Sequence, residues 1–370
     1  MRAFHILLFF SLLLLGACTQ DLPDNPGHTD KKRVTFSLAL TPAATESASR
    51  AAWTPVLGAE KELVMNGFCV MVDAETSMVE HVFKSRSEDE GKGQKYCNVY
   101  NDAGSREIKT STGEKLFYTF ANLSQEKVER AIAASMNKTD FHFTKDAVLD
   151  TTQINKATIA ICGNNFQPSE TNGIPMSGYQ HLTISASDQG KEIQLNVVRM
   201  LAKLEFEISN DTQTPLYVDS IVFENITKNA PNDDTHNLFL FPAPRTPKEN
   251  DQTMITIKPN LTEWGKTHYE KQRISVKQKL AVGAKTNVVY YLNETAAPNT
   301  QFGDFMLTLN LRENDAAGTQ QQRFALISNA ETQYQDSWLY IARNDWRYIP
   351  IHLHDYLFEL IPQDFPPIGV

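Results

Sequence analysis

A cysteine preceded by small residues closes the first apolar segment of the chain. Leu15, Gly16, Ala17 and Cys18 follow an apolar run that begins at Ile6. A cysteine at this spacing is the substrate of bacterial lipoprotein maturation, in which the thiol takes a thioether-linked lipid and the segment before it is removed. The apolar run is shorter than the roughly 20 residues of a permanent membrane helix, so residues 1–17 are predicted to be a cleavable signal peptide.

Cys18 is therefore the predicted lipidation site and the first residue of the mature chain. Two or more acyl chains hold a protein on a membrane more firmly than one, which predicts a lipid anchor in the membrane. The alternative is an ordinary secretory signal in which the cysteine is incidental. The polar stretch 18–32 is rich in helix and strand breakers and predicts a flexible tether. Asp21 and Asp24 within it are similar to acidic export tags, but a solvated linker is the simpler interpretation.

Two histidines near the C-terminus could share a metal ion. His352 and His354 are two residues apart, which would place them on one face of a strand. A zinc site needs at least three protein ligands, and the two histidines have no third ligand nearby in sequence. Asp233 and Asp234 lack the ligand order of a helix–loop–helix calcium site. We therefore predict no metal and no cofactor.

Catalytic motifs are missing from the sequence. The chain contains no G-x-S-x-G elbow, no phosphate-cradling glycine loop and no H-E-x-x-H pair. Its 44 acidic residues offer no way to choose a pair for glycoside hydrolysis. We therefore predict that the protein is not an enzyme.

The charge balance and the cysteines narrow the possible partners. Removal of Arg2 with the signal leaves 34 basic residues against 44 acidic ones, which disfavours nucleic acid and anionic lipid head groups as partners. Beyond Cys18 the chain has Cys69, Cys97 and Cys162, an odd number without a C-x-x-C spacing. This argues against a disulfide framework or a zinc site, although a single disulfide bridge between two of the three cysteines stays an alternative.

Apolar residues alternate with period two along most of the chain, which predicts an all-β fold of sandwich type. In the first strand Val34, Phe36, Leu38 and Leu40 share one face. The further predicted strands are Leu63–Val72, Val79–Phe83, Lys115–Phe120, Ala157–Cys162, His181–Ser185, Ile193–Ile208, Tyr217–Phe223, Thr253–Ile257, Arg273–Val276, Val288–Leu292, Phe305–Leu311, Arg323–Ile327 and Tyr348–Leu353.

One segment is predicted to be helical. Ser124 is placed as an N-cap, and Val128, Ile132 and Met136 recur on one face up to the end of the segment. The polar, turn-forming break at Asn210–Pro215 follows the longest strand run. We therefore expect an N-terminal domain over residues 33–210, which contains the helix, and a C-terminal domain over residues 211–370 with an extended tail.

Five strings of sequence carry a resemblance to a known family. They are the lipobox at Cys18, LFYTFANL at 116–123, IPMSG at 174–178, VVRMLAKL at 197–204 and YIARNDWRYIPI at 340–351. Their order and spacing resemble the fimbrillin superfamily of Bacteroidota, the lipoprotein precursors of type V pili and related surface adhesins. Each string also has a structural interpretation, because Asn, Pro and Gly at these places suit strand ends and tight turns.

The resemblance implies two transthyretin-like β-sandwich domains in tandem and an outer-membrane lipoprotein at the cell surface. It also implies a role as structural subunit or adhesin of a fimbria, assembled by donor-strand exchange with other fimbrial subunits after proteolytic removal of the first strand. A host or bacterial surface receptor is a possible further partner. Such exchange is physically reasonable, because a missing strand exposes an apolar groove and unpaired backbone groups that a strand from another chain can fill.

The expected cleavage point lies in the small-residue loop 41–52. Arg50, followed by Ala51, resembles a site for an arginine-specific protease. The alternative is that Arg50 is an ordinary loop residue and the first strand stays in place, as in anchor subunits of the family. The C-terminal segment departs from a simple polymerising subunit, because Pro362, Pro366 and Pro367 each lack a backbone donor. Such a tail would dock as an edge strand and polyproline segment, which suits a tip, anchor or stand-alone adhesin.

A second class of function is a surface glycan-binding lipoprotein of a nutrient-uptake system. This function would need exposed aromatic platforms. The four tryptophans, Trp53, Trp264, Trp338 and Trp346, are too scattered in sequence to indicate one.

Overall fold

The computed structural model describes residues 31–42, 64–86, 97–159, 166–169, 173–228, 238–242, 259–298, 305–313, 318–326, 340–354, 357–360 and 363–364. Most of these residues lie in strands, and the all-β prediction is confirmed. The strands of the first half are β1 Arg33–Pro42, β2 Gly67–Asp73, β3 Val79–Lys84, β4 Cys97–Asn98, β5 Ile108–Ser111, β6 Gly113–Ala121, β7 Met176–Ile184 and β8 Glu192–Arg199.

The second half continues with strands and contains no helix within its described residues. Its strands are β9 Leu201–Asn210, β10 Leu216–Thr227, β11 Tyr269–Leu280, β12 Lys285–Asn293, β13 Thr295–Ala296, β14 Phe305–Arg312, β15 Gln320–Leu326, β16 Tyr340–Ile341, β17 Trp346–His354, β18 Leu357–Leu360 and β19 Gln363–Asp364.

The sheet of the first half folds over on itself. Its strand order is β3-β2-β6-β7-β8-β1-β4, and β5 also pairs with β1. β7 and β8 share only the pairs Met176–Arg199 and Ser177–Val198. One apolar cluster joins residues of β2 and β6, such as Met71 and Phe117, to residues of β1 and β8. The two parts of the sheet therefore face each other as the layers of a sandwich.

A helix covers the outer face of β2 and β6. α1 spans Gln125–Ser135, and its N-cap Ser124 accepts a hydrogen bond from the Lys127 amide at 3.3 Å. Val128 and Ile132 are fully buried in a cluster with residues of β2 and β6. The predicted helix is thus confirmed, because its apolar face has a sheet to pack on. A second, short helix, α2 at Thr151–Ile154, was not predicted.

The second half packs two sheets around its own core. One sheet has the order β11-β10-β14-β15, and the other has the order β12-β9-β17-β18 with β19 also on β17. Their facing residues form a single large cluster that includes the stacked rings of Phe223 and Phe305, 5.6 Å apart. β13 and β16 form a separate two-stranded sheet.

The chain changes from one set of sheets to the other at Met200. The predicted run Ile193–Ile208 is two strands here, and the Met200 amide donates to the Pro175 carbonyl at 2.8 Å between them. β8 pairs with β1, whereas β9 pairs with β12 and β17. Strand pairing thus changes from one set of sheets to the other at Met200, and the domain boundary near Asn210–Pro215 stays a prediction.

Two further predicted strands differ from the structure, and a third falls on residues that the structure does not describe. The strand expected at Leu63–Val72 begins at Gly67. Of Ala157–Cys162, the described residues form an isolated bridge between Thr158 and Phe239 instead of a strand. Thr253–Ile257 lies outside the described residues.

The packing of α1 can be tested by truncating its buried face. Ile132→Ala should lower the free energy of unfolding by about 2–5 kcal/mol, because it leaves a cavity between helix and sheet. Arg130→Ala, on the exposed face of the same helix, is the matched control and should change stability by less than about 0.5 kcal/mol. Urea unfolding followed by circular dichroism measures both; equal effects would contradict the observed packing.

Candidate assembly site

The first strand lies inside a sheet, with partners on both sides. β1 pairs in parallel with β8, from Ser37–Glu192 to Pro42–Val197. On its other side it pairs antiparallel with β5 near its start and with β4 near its end. The backbone groups of β8, β4 and β5 that face β1 therefore depend on this one strand for hydrogen bonds.

The predicted apolar face of β1 fills the sandwich core. Val34, Phe36, Leu38 and Leu40 are all at most 2% exposed. They belong to the cluster that includes Met71 and Phe117 on the opposite layer. Burying side chains of this size stabilises a structure by roughly 1.5–3 kcal/mol each. Loss of β1 would therefore open an apolar groove lined by the remaining members of the cluster.

Charged groups anchor the beginning of β1. The Lys31 ammonium lies 3.5 Å from Asp73, the last residue of β2, and 3.0 Å from Glu75 in the turn that follows. Asp73 also accepts from the fully buried Lys115 at 2.9 Å, and Lys115 reaches Glu80 at 2.7 Å. Burial alone would raise the pKa of Asp73, but the bonds from Lys115 and Thr76 hold this pKa well below its usual range. The carboxylate therefore stays charged beside Lys115, and its contribution to stability is lost only as the pH falls through that lowered pKa.

Two buried thiols lie in the same core. Cys69 on β2 and Cys97 on β4 are buried and form no disulfide, and Leu40 of β1 is the register partner of Cys97. Burial raises the pKa of the Cys69 thiol, so this side chain is uncharged and unreactive in the folded chain.

Of the predicted site residues, Cys18, Arg50 and Ala51 lie outside the described residues, as does Cys162.

The described part of the C-terminal segment pairs with the second half, while Pro362, Pro366 and Pro367 lie outside the described residues. β18 runs antiparallel to β17, from Ile351–Leu360 to His354–Leu357. β19 pairs further back on β17, at Arg347–Asp364 and Tyr348–Gln363. The described part of the tail thus forms edge strands of its own chain.

A buried ion pair within the second half holds a segment that packs against the first half. Arg343 and Glu294 both have fully buried side chains, and Nε of Arg343 lies 3.1 Å from Oε1 of Glu294. The same guanidinium donates to the carbonyls of Phe239 and Leu240 at 2.7 and 3.3 Å. Leu240 is buried in the core beneath α1. Through these hydrogen bonds Arg343 therefore holds a segment of the second half that packs into the core of the first half.

Three strings of the family resemblance have clear structural roles. Asn122 has φ of 55° after β6, accepts from the Met65 amide at 2.7 Å and donates to the Ile174 carbonyl at 2.8 Å. Asn344, next to Arg343, has φ of 66° and accepts from Arg199 at 3.1 Å. Both positions are left-handed, where Asn is tolerated better than most residues.

Gly178 serves a close approach between strands. A Cβ atom at this position would lie 2.3 Å from the Asn196 carbonyl oxygen and 2.5 Å from the Thr119 hydroxyl. Any larger residue would push β8 away from β6 and β7, at the point where the sheet folds over. These roles agree with the prediction that the family strings define the fold.

A polar groove of about 410 Å³ lies beside β3, lined by residues such as His81, Asp102 and Phe143. Neither of the two described tryptophans, Trp264 and Trp346, lines it. Trp346 is buried and Trp264 stacks on His268 at 4.2 Å, while Trp53 and Trp338 lie outside the described residues. No exposed tryptophan platform is thus present within the described part of the chain.

The structure places the histidine pair beside a carboxylate. His352 and His354 lie at the end of β17, and Asp211 approaches both of them. Because Asp211 lies far from the histidines in the sequence, local spacing could not identify it as their neighbour.

Asp233 and Asp234 lie outside the described residues. Within the described residues, no helix is long and apolar enough to cross a bilayer.

No protein-family model and no curated relative matches the chain, but its fold matches solved structures. The C-terminally truncated tip fimbrial protein Mfa3 from Porphyromonas gingivalis has a TM-score of 0.55 at 14% identity, over 90% of this chain and 100% of that one. A candidate cell adhesion protein from Parabacteroides distasonis has a TM-score of 0.49 at 13% identity, over 89% and 91% of the two chains. A fimbrial assembly protein of the same species has a TM-score of 0.41 at 10% identity, over 90% and 97%.

These structural neighbours are fimbrial and cell-adhesion proteins, as the fimbrillin resemblance of the sequence predicts. The match to the Porphyromonas protein shows that the two chains share an all-β fold along nearly their whole length. The all-β fold class is thus confirmed, and the structural match agrees with the family resemblance at the level of the fold.

The buried pair of Arg343 and Glu294 predicts a large effect from a single substitution. Arg343→Met would leave the Glu294 carboxylate buried without its cation and should lower the free energy of unfolding by about 3–5 kcal/mol. Adding Glu294→Leu removes the second charge and should restore a substantial part of that loss. Arg323→Met, which breaks an exposed pair with Glu224, is the control and should cost at most about 1 kcal/mol. Equal losses of unfolding free energy for Arg343→Met and Arg323→Met in urea titrations would contradict the role of the buried pair.

Proposed function

We propose that this protein is a non-catalytic subunit or adhesin of a cell-surface fimbria. The observation that carries the proposal is β1, the first strand of the described residues, which completes the core of a sandwich between β8 on one side and β4 and β5 on the other. The fold shared with a tip fimbrial protein supports it. The partners would be other fimbrial subunits, joined by exchange of this strand.

In this proposal the chain is exported as a lipoprotein and held in the outer membrane by lipid on Cys18. Because β1 begins at Arg33, the polar stretch 18–32 would link the lipid to the folded part. Cleavage after Arg50 would then separate β1, together with the lipid, from the rest of the chain.

A cut at Arg50 would not by itself empty the groove. β1 ends at Pro42, so after cleavage it would remain bound through its hydrogen bonds and its four buried apolar side chains. It would leave when a strand of another subunit replaces these contacts one after another. This explains how a precursor could be cleaved without exposing its core to water and aggregating.

The glycan-binding alternative has less support. The groove beside β3 has the volume for a small ligand, but the described tryptophans do not line it. Retention on a glycan array would favour this alternative, and no retention is expected of a fimbrial subunit that acts through strand exchange alone.

The lipid anchor can be tested by substitution of the cysteine. Cys18→Ala should abolish labelling by a radioactive fatty acid and should release the chain or leave it as an uncut precursor, because no thiol is left to acylate. Cys97→Ala, which removes a buried thiol elsewhere, should keep both label and membrane fraction. Normal membrane retention of the Cys18→Ala chain would refute the anchor.

Strand exchange can be tested with a defined cut. We replace residues 47–52 by the recognition sequence of a site-specific protease, cleave the purified chain and add a labelled peptide of residues 31–42. The peptide should bind only after cleavage and displace β1. A peptide with Phe36→Asp and Leu38→Asp should not bind, because burial of unpaired charge is strongly unfavourable.

Two results would count against this mechanism. Failure of the wild-type peptide to exchange into the cleaved chain would indicate a subunit that keeps its first strand, as anchors do. Unchanged fimbrial assembly by an Arg50→Ala chain in cells would exclude Arg50 as the activating cleavage point.

A further inference from the structure

Three ligand-type side chains meet at one end of the second half. The nitrogen and oxygen atoms that Asp211, His352 and His354 can offer all lie within 4.8 Å of one another. Nδ1 of His352 is 2.8 Å from Oδ2 of Asp211, and Nε2 of His354 is 3.7 Å from the same oxygen. The two imidazole rings are nearly parallel, with 6.0 Å between their centres.

The fold brings these residues together from distant parts of the sequence. β17 runs parallel to β9, with His352 opposite Ser209 and Leu353 opposite Asn210. The amide of Asp211, the residue after β9, donates to the Leu353 carbonyl at 2.9 Å. The two histidines, two residues apart on one strand, project from the same face, and the carboxylate of Asp211 lies beside that face.

The loop that carries Asp211 is held by other interactions. The side-chain amide of the buried Asn210 donates to the carbonyls of Thr214, Leu280 and Ala281 at 2.9–3.2 Å. Its side-chain oxygen accepts from both the amide and the hydroxyl of Thr212. The backbone at Asp211 is therefore fixed without help from any ion, as a preorganised ligand position requires.

We propose that Asp211, His352 and His354 form a binding site for a divalent transition-metal ion, with zinc as the best match. Two imidazoles and one carboxylate suit zinc, whereas calcium and magnesium require oxygen ligands. Zinc-to-ligand distances of about 2.0–2.2 Å place neighbouring ligand atoms of a tetrahedral site roughly 3.2–3.6 Å apart. The ligand atoms of this cluster lie up to 4.8 Å apart. Rotation of the partly exposed His354 side chain would bring its nitrogen to the separation that zinc requires.

The three side chains leave one tetrahedral position, which water would occupy because the site opens to solvent. A bound ion would connect the end of β17, directly before the C-terminal strands, to the turn that leads into β10. It would thus fasten the C-terminal segment to the body of the second half.

The test is zinc binding by the untagged, full-length mature protein after removal of metals with a chelator. We expect one high-affinity zinc ion per chain in competition with a chromophoric chelator, together with a raised thermal midpoint. His354→Ala and, separately, Asp211→Asn should each weaken binding by roughly 100-fold or more, since even changes to groups behind the ligands cost 10–100-fold. Cobalt substituted for zinc should show the intense visible bands of a tetrahedral site, and these should vanish in both variants.

His181→Ala is the matched control, because it removes another exposed histidine that contacts a carboxylate, Glu114, and it should bind zinc like the wild type. Circular dichroism of each variant checks that the fold is retained. Absence of tight zinc binding by the wild-type chain would overturn the proposal, as would unchanged affinity in His354→Ala and Asp211→Asn. In either case the three residues would be an ordinary surface hydrogen-bonded cluster.

Discussion

The buried ion pair between Arg343 and Glu294 holds segment 238–242, through which the second half packs against the first. A charge in a protein interior is strongly unfavourable unless it is paired and hydrogen-bonded. Arg343 meets this requirement with Glu294 and with the carbonyls of Phe239 and Leu240. The pair therefore constrains three stretches of chain at once: the turn before β17, the end of β12 and the segment 238–242.

Segment 238–242 links this electrostatic constraint to hydrophobic packing. Leu240 and Phe241 are buried with residues of α1 and of the first sheet. The Leu240 carbonyl also accepts from the buried Ser177 hydroxyl on β7. The helix-covered face of the first half is therefore completed by residues from the second. Such shared packing resists separation of the two halves better than a short linker would.

β1 has a different role, because it completes the core of the first half but is separated in sequence from the next described residue, Val64, by residues 43–63. Its four inward side chains contact both layers of the sandwich, so the groove is apolar and specific in shape. The same contacts that make β1 stable in the precursor would favour its replacement by a similar strand. The proposed strand exchange and the proposed metal site lie in different halves of the chain. A zinc ion at Asp211 would therefore act on the C-terminal segment and not on the groove.

The sequence alone was sufficient for the all-β class, the inward face of β1 and the helix after Ser124, because each depends on local periodicity and capping. Its family strings also indicated residues that shape the fold, such as Asn122 and Gly178. Only the tertiary structure decided that Ile193–Ile208 divides at Met200, because strand partners from distant parts of the sequence determine which sheet a strand joins. The same holds for Asp211, which reaches His352 and His354 through the parallel pairing of β9 with β17. Long-range pairing leaves no trace in the local spacing of residues, and for this reason the third ligand and the buried partner of Arg343 could not be predicted from the sequence.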